Sequence, residues 1–146
     1  MSFLTGGISV ERSQDWLDQA KKDIEHARFD MENGFYDWSC FSSQQGAEKA
    51  VKAVFQKIGA EAWGHVVADL LEALDQHFNV PKNLIEKALE LDKSYIPTRY
   101  PDAHPSGAPW KKYTKKEARR LLGYADEIVK FCSNILSKIQ QERDNK

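Results

Sequence analysis

The sequence predicts an all-α protein, built as an up-and-down bundle of four long helices plus one shorter helix. Apolar residues recur at the three- and four-residue steps of a helix, and no stretch alternates apolar and polar residues as a strand does. Most glycines and prolines fall between these segments, where helices end. The short connections between most helices favour antiparallel neighbours, as in an up-and-down bundle.

Length and composition indicate one globular domain. The chain has 146 residues, of which 41% are apolar and 29% charged, and its net charge is −1. This composition excludes a disordered tail, and no apolar run is long enough to span a bilayer. Cys40 and Cys132 stand alone, so the spacing favours neither a disulfide framework nor a zinc site. We expect a cytoplasmic protein with no membrane association, metal or cofactor.

We divide the chain into an N-terminal extension (residues 1–10), a helical domain (11–139) and a polar tail (140–146). The apolar face of the first helix comprises Trp16, Ala20, Ile24, Ala27 and Met31, and Gly34 is its expected stop. A second helix runs from about Phe35 to Ile58 and stops at Gly59. Small residues at 46, 47 and 50 let a neighbouring helix approach closely.

The second half of the chain contains three further helices. Apolar spacing predicts a third helix from Val66 to Phe78, and a fourth that begins at Pro81 and ends before Pro97. Residues 97–113 contain four of the five prolines and are expected to be irregular. Thr114 and Glu117 form a capping box that opens the last helix, which continues to Ile139.

Five motifs in this order resemble the HEPN domain family (higher eukaryotes and prokaryotes nucleotide-binding), in its Arg-Tyr-Pro-Asp branch. They are WLDQAKKDIEHAR at 16–28 with the aromatic pair at 35–36, QQGAEKAVKAVF at 44–55, His65 with the leucines after it, YIPTRYPD at 95–102, and the last helix. The resemblance covers roughly residues 12–139 and implies a helical bundle that works as a homodimer. The family includes metal-independent endoribonuclease toxins, non-catalytic partners of minimal nucleotidyltransferases, and nucleotide-binding modules.

The resemblance implies that Arg99 and His104 are the catalytic pair if the protein cleaves RNA, because the ribonuclease members use an Arg-x4–6-His motif. A guanidinium stabilises charge that develops on the scissile phosphate, and an imidazole transfers the proton. Here Tyr100 and Pro101 follow the arginine, which departs from the motif of the active members, so we expect binding rather than turnover. The alternatives are an ion pair between Arg99 and Asp102 or a hydrogen bond from Arg99 to a helix end, and a solvated loop histidine at 104.

Positive charge is concentrated between residues 99 and 120, where seven cations face only two acidic residues. Such a cluster at a helix start, interleaved with aromatic rings, is typical of a site for phosphate and bases. The predicted ligand-binding residues are Arg99, Tyr100, Lys111, Lys112, Lys115, Lys116 and Arg119, with Trp110 and Tyr113 as further stacking candidates. The alternative is a solvated basic face whose aromatic residues pack into the core. The expected partner is a nucleotide or RNA.

Gln44, Glu48 and Lys52 form one polar stripe on the otherwise apolar second helix. The stripe is a second part of the predicted ligand-binding site if it faces the cleft beside Arg99. Alternatively, Glu48 and Lys52 form an ordinary i,i+4 ion pair. For His65, a capping or packing role is expected.

Excess apolar residues on the last helix predict a two-fold dimer. Phe131 is placed roughly opposite Leu122 and Ala125 on the helical wheel, so we expect it to be exposed and to join Trp38 and Phe41 in a contact surface. The dimer would bring two Arg99 loops to a shared cleft, as the resemblance implies. The alternative is a monomer whose shorter helix covers these rings.

Overall fold

The structure, a computed structural model, describes residues 11–95 and 100–146. Its helices are α1 (Ser13–Glu32), α2 (Tyr36–Ile58), α3 (Val67–Leu74), α4 (Lys82–Asp92) and α5 (Lys115–Asp144), with 3-10 turns at Pro101–Ala103 and Pro109–Lys111. The described residues contain no strand, and the predicted all-α class is confirmed. No helix among them is long and apolar enough to cross a bilayer.

α1 and α2 form a tight antiparallel hairpin. The turn between them uses Gly34 at φ 87°, in the left-handed region that suits glycine. The two helices approach closely at Gly46, where an added Cβ would lie 3.2 Å from the backbone oxygen of Ala20 and 2.9 Å from the end of the Ile24 side chain. The Ser39 hydroxyl donates to the Ala27 carbonyl at 2.7 Å, which joins the same two helices. The predicted close approach is confirmed.

α3 is shorter than the sequence suggests. α2 ends as predicted at Gly59, which has a left-handed conformation, but α3 ends at Leu74 rather than Phe78. Beyond Leu74 the chain tightens into a turn in which His77 N–H donates to the Leu74 carbonyl, and the Asp75 carboxylate accepts from Val80 N–H at 2.9 Å. The fold therefore has three long helices and two shorter ones, where four and one were expected.

The boundaries of the last two helices follow local signals. Pro81 is the N-cap of α4, one residue before its first turn. Thr114 caps α5 as predicted, since its hydroxyl accepts from Glu117 N–H at 3.1 Å. α5 continues to Asp144 and so includes most of the residues assigned to a polar tail, which are exposed along its final turns.

α5 runs parallel to α2. Lys57, at the end of α2, donates to Gln140 at 3.1 Å, and the start of α5 lies beside the start of α2. The chain returns between these ends through α3, α4 and the 100–113 loop. Lys87–Glu127 and Glu90–Arg120 ion pairs, at 2.8 and 2.9 Å, then join α4 to α5.

The core lies where α1, α2 and α5 meet, with α3 and α4 closing one side. On α1 the buried apolar residues are Leu17, Ala20, Ile24 and Ala27, while Trp16 and Met31 are half-buried at its edge. Leu17 was absent from the predicted face. It is buried because α1 packs against α5 as well as α2, which widens its apolar side.

The expected exposure of Phe131 is wrong. Its ring is half-buried and packs against the core. It also lies 14 residues beyond Glu117, about 21 Å along α5. Glu117 lies beside the first turns of α2, so Phe131 does not form one surface with Trp38 and Phe41.

Substitution of Gly46 by alanine tests the α1–α2 contact. We expect Gly46→Ala to lower the free energy of unfolding by about 1–3 kcal/mol, because the new methyl group meets the Ala20 carbonyl. Gly123→Ala, at an exposed position of α5, is the control. Nothing lies within 4 Å of the added Cβ, and the substitution should raise the free energy of unfolding by up to about 1 kcal/mol. Urea denaturation measures both, and an unchanged stability for Gly46→Ala would contradict the packing.

Candidate functional site

The polar stripe of α2 turns inward, toward the segment that leads into α3. Gln44 is fully buried and Glu48 is 5% exposed. Lys52 donates to Glu48 Oε2 at 3.0 Å, so the i,i+4 pair expected as the alternative is present. Gln45, beside the stripe, donates to Gln44 Oε1 at 2.7 Å and to Glu48 Oε1 at 3.5 Å, which links these two members of the stripe. The ion pair is therefore one part of a larger network, which we call the α2 network.

His65 completes the α2 network from the α2–α3 connection. Its Nδ1 lies 3.1 Å from Glu48 Oε2, and its backbone carbonyl accepts from Gln44 Nε2 at 2.8 Å. Its ring stacks on Tyr95, with centroids 5.4 Å apart and planes at 13°. The expected packing role of His65 is confirmed, and the structure adds a bond to a buried carboxylate that the sequence did not predict.

Asp92 is the residue that sequence reasoning missed. Its carboxylate caps α3 from the end of α4, accepting from Val67 N–H at 2.8 Å and Ala68 N–H at 2.9 Å, and Gln44 Nε2 lies 3.3 Å from it. Burial raises the pKa of the Asp92 carboxyl above its usual value, and the two N–H bonds oppose that shift. No sequence signal marks this role, because the capped helix begins 25 residues earlier.

Five of the predicted basic residues are exposed around the start of α5. We call them the basic cluster, and they are Lys111, Lys112, Lys115, Lys116 and Arg119. Among the residues the structure describes, no carboxylate lies within 4.0 Å of any of their charged groups. Arg120, the next cation along α5, is instead paired with Glu90 at 2.9 Å.

The aromatic residues near the basic cluster divide into two kinds. Tyr100 and Trp110 are 47% and 64% exposed, and Lys111 Nζ lies 5.6 Å above the Trp110 ring. Tyr113 is half-buried against the core, and this burial raises the pKa of its hydroxyl to about 12. Tyr100 and Trp110 are thus open to a ligand, whereas Tyr113 follows the expected core alternative.

The structure describes only one member of the predicted catalytic pair, His104. Arg99 lies outside the described residues. His104 follows the Pro101–Ala103 turn, is partly exposed, and meets the Tyr113 ring edge-on with centroids 6.3 Å apart. His104 therefore belongs to the same loop as the start of the basic cluster.

An aromatic row connects the α2 network with the start of α2. The Tyr95 ring lies between His65 and Phe41, with 6.2 Å between the Tyr95 and Phe41 centroids, and Phe41 meets Trp38 edge-on at 6.0 Å. The first turns of α2 are in turn beside the start of α5. The row therefore leads from the α2 network to the end of α2 that lies near the start of α5.

The cysteine thiols are unsuited to nucleophilic chemistry. Cys40 and Cys132 are both fully buried. Burial raises the pKa of the Cys40 thiol to about 12, and it also raises that of Cys132. In the described part of the chain, no group of three His, Cys, Asp or Glu side chains is arranged to hold a metal ion.

This arrangement offers two kinds of chemistry. The basic cluster presents positive charge and exposed rings, which suit phosphate groups and bases. The α2 network presents one imidazole held by a buried carboxylate, which suits hydrogen bonding or proton transfer at the opposite ring nitrogen.

Comparison with known structures shows the same fold in three proteins. TT1696 of Thermus thermophilus is 45% identical with a TM-score of 0.83, over 86% of this chain and 98% of that one. The HEPN domain protein tm0613 of Thermotoga maritima is 53% identical with a TM-score of 0.71, over 84% and 98% of the two chains. ST0689, an archaeal HEPN homologue, is 39% identical with a TM-score of 0.73, over 86% and 98%.

Sequence comparison agrees with the structural one. A Methanocaldococcus jannaschii protein named "Putative toxin MJ1304" is 27% identical over 142 residues, which cover 90% of this chain and 93% of the relative. The HEPN domain model matches residues 13–136. On these matches and the shared fold, the chain belongs to the HEPN domain family.

Proposed function

We propose that this HEPN domain binds the phosphate groups of a nucleotide or RNA through the basic cluster, as a homodimer. The observation that supports this most is the set of five exposed cations without carboxylate partners in the described chain. Lys49, Lys52, Lys57 and Lys87, in contrast, all have carboxylate partners. Other cations without a carboxylate partner in the described chain, such as Lys21, Arg28 and Lys82, are scattered, whereas these five lie within nine residues at one helix start, which is the arrangement that a polyanion needs.

The position of two of these lysines adds to the argument. Lys115 and Lys116 lie in the first turn of α5, where the helix macrodipole disfavours cations by a few tenths of a kcal/mol each. A bound phosphate reverses this cost, because it is attracted both to the lysines and to the positive end of the helix. Trp110, whose ring lies 5.6 Å from Lys111 Nζ, and Tyr100, in the same 100–113 loop, offer exposed rings for a base.

Metal-independent cleavage of RNA by Arg99 and His104 is the second candidate. The Methanocaldococcus jannaschii relative is named as a toxin, and His104 belongs to the loop that carries the start of the basic cluster. In this proposal Arg99 stabilises charge on the phosphate and His104 transfers a proton. A partnership with a minimal nucleotidyltransferase, the third role implied by the family resemblance, stays a prediction.

Exposed aromatic rings around the α1–α2 turn support the homodimer. Phe29, Phe35 and Trp38 are 60%, 54% and 47% exposed. Neighbouring exposed rings of this size are typical of a contact surface. A two-fold axis near this turn gives both copies the same contact and places two 100–113 loops at one end of the assembly.

Removing two lysines tests phosphate binding. We expect Lys115→Gln/Lys116→Gln to weaken binding of a short single-stranded RNA and to lower the slope of log affinity against log salt by about 1.4. The control, Lys130→Gln/Lys138→Gln, removes the same charge from the far part of α5 and should bind as the wild type does. Fluorescence titration with RNA, GTP and ATP at two salt concentrations measures this. Binding of none of them at high micromolar protein would refute the proposal.

Cleavage is tested by incubating RNA with the protein in EDTA. If the second candidate holds, His104→Ala lowers the cleavage rate about a hundredfold or more, because the proton-transfer group is lost. His77→Ala changes an exposed histidine elsewhere and should cleave as the wild type does. Equally intact RNA with wild type and His104→Ala would reject this candidate.

Light scattering at micromolar concentration tests the dimer. The expected mass is twice the 16.7 kDa of one chain. Phe35→Ser should shift the protein toward the monomer, because it removes an exposed ring from the proposed contact, whereas Trp63→Ser changes a ring that is 79% exposed elsewhere and should not. A wild-type mass near 16.7 kDa would rule the dimer out.

A further inference from the structure

We propose that His65 recognises ribose: its Nε2 accepts a hydrogen bond from a sugar 2′-hydroxyl, so that the domain prefers RNA to DNA. The proposal rests on the proposed function and concerns a residue outside the basic cluster. It is derived from the contacts that hold the imidazole in the α2 network.

The imidazole is held from three directions. Gln44, fully buried, donates to the His65 carbonyl at 2.8 Å and holds the backbone. Glu48 Oε2 lies 3.1 Å from Nδ1, and Tyr95 stacks on the ring face. A side chain restrained in this way presents its remaining ring nitrogen in one direction, which is the preorganisation that recognition requires.

The partners of Glu48 determine which ring nitrogen carries the proton. Lys52 donates to the same carboxylate oxygen at 3.0 Å, so Glu48 is the acceptor in both bonds. Nδ1 of His65 is therefore the donor, and Nε2 of the neutral ring is an acceptor.

Burial differs sharply across the Glu48–His65 pair. The side chain of Glu48 is 6% exposed and that of His65 is 58% exposed. Because Nδ1 faces the buried carboxylate, the edge that carries Nε2 is on the solvent side. The structure thus offers an acceptor to a ligand while its orienting group stays inside the protein.

An acceptor selects among the chemical groups of a nucleic acid. Phosphate diester oxygens have no hydrogen to donate, so a neutral Nε2 does not bind them. A ribose 2′-hydroxyl is a donor, and DNA lacks it. Amino groups of bases are also donors but occur in both nucleic acids, so only the 2′-hydroxyl produces a preference for RNA.

The location fits a nucleic-acid strand that also contacts the 100–113 loop, which leads to the basic cluster. Tyr95, against which His65 stacks, lies five residues before exposed Tyr100, so their Cα atoms are at most about 18 Å apart. A strand of several nucleotides extends over such a distance. The sugar contact and the phosphate contacts then act on different nucleotides of one strand.

The test compares oligouridylate with oligodeoxyuridylate of the same length, which differ only in the 2′-hydroxyl. The wild type should bind the RNA about three- to tenfold more tightly, the value of one hydrogen bond. His65→Phe keeps an aromatic ring against Tyr95 and loses the acceptor, so it should bind both oligonucleotides with the affinity that the wild type has for DNA. His77→Phe is the matched control and should keep the preference.

A second measurement needs no ligand and does not depend on folding of a variant. At a pH where the imidazole is neutral, the ¹⁵N NMR spectrum of the wild-type protein should show the His65 proton on Nδ1 and none on Nε2.

A variant tests the same point in the oligonucleotide comparison. Glu48→Gln replaces the carboxylate that orders this tautomer and should reduce the preference for RNA.

The outcomes separate this inference from the proposed function. Equal wild-type affinity for the two oligonucleotides, a preference that survives in His65→Phe, or an Nε2-protonated ring would overturn the ribose contact and leave phosphate binding intact. Binding of neither oligonucleotide would overturn both. A purely structural role of His65 would weaken RNA and DNA binding equally in His65→Phe, which also counts against the proposal.

Discussion

Burial of α2 is the constraint on which the rest of the structure depends. This helix packs against each of the other four, so nearly every side chain on it meets protein rather than water. A polar side chain in that position needs a partner within the fold, because an unpaired buried polar group is costly. Gln44 and Glu48 meet this need by bonding to the α2–α3 connection and, through Asp92, to the end of α4.

Asp92 shows how the same network supports the smaller helices. α3 has only eight residues, and a helix of that length has little stability alone. The carboxylate that accepts from its first N–H groups belongs to α4, so α3 is held in place by the helix that follows it. Since Gln44 contacts the same carboxylate and also the His65 carbonyl, the position of His65 just before α3 is coupled to both α2 and α4.

Charge is organised differently inside and outside this network. Around α2 each cation is balanced by a carboxylate, as in the pairs Lys49–Asp23 and Lys52–Glu48. At the start of α5 the five cations of the basic cluster have no such balance in the described chain. A net charge of −1 conceals this separation, because acidic residues elsewhere outnumber the cations. The distribution of charge, and not its sum, therefore distinguishes the candidate binding surface.

Local signals in the sequence determined the helical class, the stops of α1 and α2, the starts of α2 and α5, and the concentration of positive charge before Arg120. Helical periodicity, the Thr114 cap and left-handed Gly59 all act within a few residues, so they can be recognised without the fold. The tertiary structure alone decided that Asp92 caps α3, that Phe131 packs inward and that Glu48 holds His65. Each of these depends on residues distant in the chain, whose proximity arises only when the helices pack.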